Sequence, residues 1–288
     1  MAMLEVPADT GAPDDTGIPD DTGGSGARLT VEPAGPRTGV RLAGVRVTDL
    51  TDPEIEAIRH LIGEHGVGVF PAQHLTPEEH VAFMARFAPI TFTPGVDPLP
   101  GHPQVHVVAD NGGTADRGVR LHTDTCFVAR PPAYTSLSAV EIPAQGGDTI
   151  FVNQYDAYES LSPVMQGWLR GLRFKHVVSG TARPEAVPDP VWHPAVRTHP
   201  VTGRQALYVT LPERCVEAEG MTPAESEALI GFLYAHSESL LGMYRHRWSV
   251  GDLVMWDNRC TLHSAVPDHG PEPRVLYRVM CEGEAPYE

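Results

Sequence analysis

Positive charge is scarce in this chain of 288 residues. Lysine and arginine together number 21, against 37 aspartates and glutamates, and the formal net charge is −16. Nucleic-acid binding requires clustered basic side chains that displace counterions from phosphates, so we expect no nucleic-acid partner. Lys175 is the single lysine. A catalytic-lysine or Schiff-base mechanism would therefore depend on one residue, which lowers the rank of that class of enzyme.

Long hydrophobic runs and paired cysteines are also missing. No apolar stretch approaches the roughly 20 residues that span a bilayer, and the N-terminus lacks the basic start and apolar segment of a secretory signal. We therefore expect a cytoplasmic protein without a membrane partner. No C-x-x-C pair indicates a zinc site or a redox dithiol, so the cysteines are expected to be reduced thiols in the core. They are Cys126, Cys215, Cys260 and Cys281.

The chain divides into a polar N-terminal tail and one long domain. Residues 1–27 repeat Asp, Gly, Pro and Thr with almost nothing apolar to bury, which predicts a disordered acidic tail. Residues 28–288 exceed a typical domain, but β-rich enzymes often reach roughly 200–250 residues as one unit. We therefore predict a single domain there. The sequence leaves the oligomeric state open, a homo-oligomer included.

Local patterns in this domain predict several short strands and few helices. Proline behind a capping residue marks three helix starts, at Asp52-Pro53, Thr76-Pro77 and Thr222-Pro223. Short apolar runs bounded by glycine and proline predict strands at 67–70, 133–142, 149–152, 205–209, 253–256 and 275–280. This order favours a mainly β fold with flanking helices, either a β-sandwich or a jelly roll.

A candidate metal site starts from the H-x-D pattern of His122 and Asp124. On a strand, residues i and i+2 point to the same face, so this imidazole and carboxylate could reach one metal ion. Chance alone gives about one H-x-D in such a chain, so the pattern needs a third ligand. Two histidines and one carboxylate suit Fe(II), because they leave positions open for a cosubstrate and O2. His263 is the best candidate, although an arbitrary histidine is more often a hydrogen-bonded core residue.

Two arginines follow His263 and could bind a carboxylate. Arg274 and Arg278 are four residues apart on a predicted strand, so they should share a face. The guanidinium fork of arginine binds a carboxylate through two parallel hydrogen bonds and stays charged. A 2-oxoglutarate site requires such a cation. Two solvated charges at a strand edge are the simpler alternative.

Five blocks of sequence point to a known family. They are QHLTPEEH at 73–80, LHTDTCF at 121–127, GGDT at 146–149, HPAVRTHPVTG at 193–203 and GDLVMWDNRCTLH at 251–263. In this order they resemble the taurine dioxygenase and 2,4-dichlorophenoxyacetate dioxygenase family of Fe(II)/2-oxoglutarate-dependent enzymes, from about Val67 to Arg278. The resemblance implies a cupin-like, double-stranded β-helix core, with Fe(II) held by His122, Asp124 and His263.

The same resemblance implies where 2-oxoglutarate, the cosubstrate, would bind. Arg274 with Thr149 would anchor its distal carboxylate, and Arg278 would lie near the iron beside the primary substrate or the proximal carboxylate. Asp257 and Asn258 would belong to the turn that aims His263.

The implied reaction converts 2-oxoglutarate and O2 to succinate and CO2 while a C–H bond of a small molecule is oxidised, by default to an alcohol. Arg278 favours an anionic substrate. In the family, the segment 88–118 contributes substrate contacts; here it lacks the His and Tyr that hold taurine, and Gly118 replaces the expected Asn. Taurine is therefore not expected as substrate. A metal-dependent isomerase or hydrolase with the same triad, or a non-catalytic binding module of this fold, remains an alternative.

Overall fold

The computed structural model of the protein describes residues 29–93, 96–110, 119–179, 189–239 and 242–288. The predicted acidic tail, residues 1–27, lies outside these ranges. Within them, no helix is both long enough and apolar enough to cross a membrane. All four cysteines are free and buried, as predicted.

Five α-helices and one 3₁₀ helix lie in the described ranges. They are 3₁₀ Val47–Asp49, α1 Asp52–His65, α2 Pro77–Ala85, α3 Gln154–Glu159, α4 Pro163–Leu169 and α5 Pro223–Glu238. The three predicted helix starts are confirmed, but the cap of α1 is Thr51 rather than Asp52, because the Thr51 N–H donates to the Glu54 carboxylate at 2.7 Å. Helices α3 and α4 were not predicted, although Asn153 and Ser162 cap them.

Short strands make up most of the remaining regular structure. They are β1 Thr30–Pro33, β2 Val40–Ala43, β3 Val67–Phe70, β4 Ile90–Thr91, β5 Pro98–Leu99, β6 His102–Asp110, β7 Tyr134–Glu141, β8 Thr149–Asn153, β9 Arg173–His176, β10 Val191–Pro194, β11 Val196–Thr198, β12 Gln205–Leu207, β13 Cys215–Ala218, β14 Tyr244–His246, β15 Leu253–Asp257, β16 Thr261–Ala265 and β17 Arg274–Cys281. Every predicted strand is present, and no end differs from the prediction by more than two residues.

Two sheets form the centre of the fold. The large sheet has the order β1-β2-β3-β15-β7-β17-β6-β5, with β4 added beside β17, and the small sheet has the order β14-β8-β16. The pairs are antiparallel except for β2 with β3. Phe151 of the small sheet packs with Val254 and Trp256 of the large one in a single buried cluster, so the two sheets face each other. The predicted jelly roll is confirmed.

Strand β15 shows how the sequence covers both faces of the large sheet. Val254 and Trp256 face the small sheet, whereas Leu253 and Met255 belong to the cluster that buries helices α1 and α2. Neighbouring residues of a strand point to opposite faces, which is why this run is apolar at every position. A further sheet, β10-β9-β13, packs with α5 in a separate buried cluster, and β11 pairs with β12.

Candidate active site

Backbone pairing brings His122 and His263 together. His263 lies on β16 of the small sheet, and His122 forms an isolated antiparallel bridge with it, with N···O distances of 2.9 and 2.8 Å. The two ring centroids are 4.3 Å apart. Nδ1 of His122 donates to the carbonyl of Arg120 at 2.9 Å, so its Nε2 keeps a lone pair available for a metal ion.

Asp124 approaches these histidines from a turn rather than from a strand. The H-x-D pattern was interpreted as strand, but regular pairing stops at His122, and Thr125 has a φ of 45°. The Asp124 carboxylate nevertheless lies 3.9 Å from Nε2 of His122 and 3.8 Å from Nε2 of His263. The three ligand atoms all lie within 4.8 Å of one another. Two imidazoles and one carboxylate at this spacing could hold a metal ion and leave the remaining positions open.

A chain of hydrogen bonds fixes the Asp124 carboxylate from behind. The hydroxyl of Thr135 donates to Oδ2 of Asp124 at 2.8 Å, and Nδ2 of Asn258 donates to that hydroxyl at 2.8 Å. Nε1 of Trp256 donates to Oδ1 of Asn258 at 3.1 Å, which sets the orientation of the amide. Asn258 lies in the turn between β15 and β16 that precedes His263, and its side chain contacts the residues around Asp124.

The protonation states of the three side chains suit a cation. Burial acts to raise the pKa of Asp124, but the charges of His263 and Arg278 outweigh it and lower the pKa to about 2. Burial lowers the pKa of His263 to about 3 and also lowers that of His122. At neutral pH the group therefore consists of one carboxylate and two neutral imidazoles, which are the forms that bind metals.

The guanidinium of Arg274 occupies a buried pocket beside Gly147 and Thr149. Its Nε donates to the Gly147 carbonyl at 2.7 Å and its Nη2 to the Thr149 hydroxyl at 3.2 Å. Gly147 has a φ of 71°, and a Cβ there would lie 3.0 Å from Cδ of Arg274, so the close approach requires glycine. Both contacts are to neutral oxygens, and no carboxylate of the described ranges forms an ion pair with Arg274. The pocket thus holds a cation whose charge can be met by an anionic ligand.

The Thr149 hydroxyl is fixed as a hydrogen-bond donor. Nε1 of Trp248 donates to Thr149 Oγ1 at 3.0 Å, in addition to the bond from Arg274. A hydroxyl oxygen has two lone pairs, and here both accept from N–H groups, so its own hydrogen is left to donate elsewhere. A carboxylate entering this pocket would meet the hydroxyl hydrogen together with the guanidinium.

Arg278 lies on the same face of β17 as Arg274, as predicted, but its guanidinium has protein partners. The β17–β6 register pairs Arg278 with His106, and Nε and Nη2 of Arg278 lie 3.0 and 2.7 Å from Nδ1 of His106. Nη2 also donates to the Thr93 hydroxyl at 3.3 Å, and Nη1 is 3.6 Å from Oδ1 of Asp124. Arg278 therefore belongs to the charge balance around Asp124.

His106 was missed by the sequence analysis, which found no such residue in the segment 88–118. Burial and the charge of Arg278 lower the pKa of His106 to about 3, so the ring is neutral and accepts from the guanidinium at Nδ1. The signal that could have found it is the run of valines around His106 in β6, which is typical of a strand and buries Val105 and His106. Gly118, the other substrate position considered, lies outside the described residues.

A second buried group of potential metal ligands is occupied by an arginine. His199, Asp257 and Cys260 lie close together. Nε and Nη2 of Arg259 donate to the two Asp257 oxygens at 2.8 and 2.6 Å, and Nε2 of His199 donates to Oδ2 at 2.9 Å. Burial raises the pKa of the Cys260 thiol. We interpret this group as a buried ion pair that anchors the turn between β15 and β16.

Comparison with known proteins assigns the chain to a family. The sequence profile of the family described as "Taurine catabolism dioxygenase TauD, TfdA family" matches residues 30–280, a range that contains every site residue named above. The chain belongs to this family. The resemblance inferred from the five sequence blocks is thereby confirmed.

Individual relatives agree with this assignment. The putative alpha-ketoglutarate-dependent sulfonate dioxygenase of Schizosaccharomyces pombe is 32% identical over 270 residues, which cover 86% of this chain and 68% of that protein. The alpha-ketoglutarate-dependent 2,4-dichlorophenoxyacetate dioxygenase of Cupriavidus pinatubonensis is 34% identical over 254 residues, covering 77% of this chain and 87% of that protein. The crystal structure of a taurine dioxygenase from Burkholderia xenovorans superposes with a TM-score of 0.80 at 34% identity, covering 90% of this chain and 92% of that one.

The protein is accordingly an Fe(II)/2-oxoglutarate-dependent dioxygenase, with Fe(II) as its metal and 2-oxoglutarate as its cosubstrate. The alternatives of an isomerase, a hydrolase and a non-catalytic module are set aside. The donor set of His122, Asp124 and His263 fits Fe(II), and the buried cation of Arg274 fits a dicarboxylate.

Proposed function

We propose that the enzyme oxidises a C–H bond of a small, anionic organic molecule, with hydroxylation as the default outcome. His122, Asp124 and His263 hold the iron, and Arg274 with Thr149 binds the distal carboxylate of 2-oxoglutarate. The observation that carries this proposal is the triad itself, with three ligand atoms within 4.8 Å of one another. The His122 side chain is 27% exposed, whereas those of Asp124 and His263 are 6% and 9% exposed, so a substrate would approach from the side of His122.

The atoms of this reaction balance without another reductant. 2-Oxoglutarate loses its proximal carboxylate as CO2 and becomes succinate with one oxygen atom of O2, and the other oxygen atom is inserted into the substrate C–H bond. Iron, when bound, supplies the activation of O2. The chain's own residues bind and orient: Arg274 neutralises the distal carboxylate, Thr149 donates to it, and Thr135 keeps the Asp124 carboxylate in place.

Two observations support an anionic substrate. The relatives include enzymes named for sulfonates, for a sulfate ester and for 2,4-dichlorophenoxyacetate, all of which carry a negative charge. In addition, Nη1 of Arg278 lies 3.6 Å from Oδ1 of Asp124, which puts a cation beside the triad of a chain whose net charge is −16. The positive potential of this guanidinium favours an anionic ligand over a neutral or cationic one.

The test starts from metal-free enzyme titrated with Fe(II) and 2-oxoglutarate under anaerobic conditions, where the iron–2-oxoglutarate chelate should develop its visible charge-transfer band. Oxygen is then admitted in the presence of hexyl sulfate, hexanesulfonate or 2,4-dichlorophenoxyacetate. The expected result is succinate formation stimulated by at least one of these acids, with a hydroxylated product or its cleavage products detected by mass spectrometry. Absence of both the band and succinate would contradict the proposed function.

A further inference from the structure

Strand β6 places the imidazole of His106 against the guanidinium of Arg278. The β17–β6 register pairs the two residues, and the ring of Phe92 packs edge-on against the imidazole. His106 is 1% exposed, whereas the side chain of Arg278 is 20% exposed. The imidazole is therefore fixed inside the protein, and the guanidinium is the member of this pair that a ligand can reach.

The geometry of the pair determines the protonation state of the imidazole. Nε and Nη2 of Arg278 lie 3.0 and 2.7 Å from Nδ1 of His106, and both guanidinium nitrogens can only donate. Nδ1 must therefore carry a lone pair. Nε2 lies 3.4 Å from the N–H of Thr93, a longer contact than either bond at Nδ1, so the ring hydrogen is assigned to Nε2. His106 is thus a neutral acceptor, in agreement with its lowered pKa.

The hydrogen bonds of Arg278 hold its side chain without a carboxylate. In the part of the chain that the structure describes, they go to Nδ1 of His106 and to the hydroxyl of Thr93, both of which are neutral. Nη1 is 3.6 Å from Oδ1 of Asp124, which exceeds hydrogen-bond distance. Since Nε and Nη2 are occupied, the two N–H groups of Nη1 remain available on the side of the triad.

The other charges of the site have partners of their own in the proposed complex. The Asp124 carboxylate would bind Fe(II), and the distal carboxylate of 2-oxoglutarate would lie with Arg274 and Thr149. Arg278 is then a cation beside the triad whose direction is set by neutral groups. A carboxylate in place of the imidazole would hold the guanidinium equally well, but the ion pair would cancel its positive potential.

We propose that His106 is a positioning residue that makes the site selective for acidic substrates, because it fixes the direction of the Arg278 guanidinium through a neutral acceptor and leaves its charge for the ligand. This inference rests on the proposed function above and names a residue that sets its substrate class. The N–H groups of Nη1 would donate to the carboxylate, sulfonate or sulfate group of the primary substrate.

The experiment compares three substitutions of His106. His106→Asn keeps a neutral acceptor, because Oδ1 of the amide takes the place of Nδ1. His106→Asp has the same shape but carries a charge, and His106→Leu has no acceptor. Two controls change the charge at exposed positions: Arg41→Leu removes a positive charge from β2, and Gln104→Glu adds a negative charge to β6.

The probes are hexyl sulfate, hexanesulfonate and 2,4-dichlorophenoxyacetate, with hexan-1-ol and 2,4-dichlorophenoxyacetamide as neutral counterparts. Binding is measured anaerobically through the change that each probe causes in the visible band of the Fe(II)–2-oxoglutarate enzyme. The quantity compared between variants is the acid preference, which is the Kd of the neutral counterpart divided by the Kd of the acid. Melting temperatures confirm that each variant is folded.

Wild type, His106→Asn and both controls should prefer the acids to a similar degree. His106→Asp should reduce the acid preference by roughly ten- to a hundredfold, as expected for a lost hydrogen bond between charged groups. His106→Leu should reduce it by about two- to tenfold, because the guanidinium keeps its charge but loses the bonds that direct it. In an Arg278→Leu background, His106→Leu should cause no further change, since the imidazole acts through the guanidinium.

Four outcomes would overturn the role of His106. They are equal acid preferences in His106→Asn and His106→Asp, an effect of His106→Leu that persists without Arg278, a weaker binding of 2-oxoglutarate with the acid preference unchanged, and a wild type that turns over 2-oxoglutarate but prefers no acid. If His106→Asp does not fold, the leucine and asparagine variants and the double substitution decide. Failure of the proposed function would instead appear as no visible band and no succinate in the wild type.

Discussion

Replacing Arg274 with leucine should weaken 2-oxoglutarate binding by orders of magnitude and leave iron binding nearly intact. The guanidinium is 3% exposed, and its protein contacts are the Gly147 carbonyl and the Thr149 hydroxyl. A distal carboxylate in this pocket would lose its charge partner in the variant. Truncating one member of a buried, hydrogen-bonded charge pair costs about 2–5 kcal/mol.

Because each loss of about 1.4 kcal/mol is a factor of ten in affinity, the Kd for 2-oxoglutarate should rise by roughly 30-fold to several thousand-fold. The variant also leaves the Gly147 carbonyl without its donor, which should lower the stability of the folded protein rather than change the Kd, because that bond is missing with and without 2-oxoglutarate. Arg274→Lys should fall between wild type and leucine, because it keeps the charge but loses the fork. Iron affinity should change little, since no triad residue contacts Arg274.

The assay is an anaerobic titration of the Fe(II)-loaded enzyme with 2-oxoglutarate, followed through the visible band, with iron affinity measured separately. Arg41→Leu serves as the control for loss of one positive charge, and its Kd should equal that of wild type. An Arg274→Leu enzyme with an unchanged Kd for 2-oxoglutarate would refute the assignment of this arginine to the distal carboxylate.

Three further predictions concern the triad, the hydroxyl donor and the buried ion pair. His122→Ala or His263→Ala should abolish succinate formation in a folded protein, and full activity at ordinary iron concentrations would contradict the assigned ligands. Trp248→Phe should raise the Kd for 2-oxoglutarate only modestly, by about two- to tenfold for one neutral hydrogen bond, and should have no effect in a Thr149→Val background. Burial acts to raise the pKa of Asp257, but the charges of Arg259 and His199 hold it well below its ordinary value of 3.8, so wild type should lose stability as the pH falls below that value. Asp257→Asn should unfold more easily at neutral pH, by about 3–5 kcal/mol, and show a shallower acid dependence in denaturant titrations.

Much of the fold could be predicted because its signals are local. Proline behind a threonine marked α2 and α5, and the apolar runs marked the strands of both central sheets. Strand β6 was missed although it contains three valines: most of its residues are exposed or half-exposed, so burial does not mark it, and it becomes a strand through pairing with β17 and β5. The pairing of β6 with β17 joins segments more than 150 residues apart, which a local pattern does not report.

In the candidate site, too, some residues could be identified from local sequence signals and others could not. The triad residues and Arg274 could be proposed because their order and spacing, within several sequence blocks, match a family. His106 and Trp248 contribute through contacts with residues that are 172 and 99 positions away, respectively. Their types are ordinary at their own positions, so only the fold shows that each one faces the site.

Polar groups of the site are each held by a hydrogen bond on the side away from the ligands. This bond determines which lone pair or hydrogen is left to face a ligand. The Arg120 carbonyl takes the Nδ1 proton of His122 and leaves Nε2 as a lone pair. Trp248 occupies a lone pair of Thr149 and leaves its hydrogen to donate. Each outer partner reduces the number of orientations that a ligand would have to select on binding, so affinity depends on residues that no ligand touches.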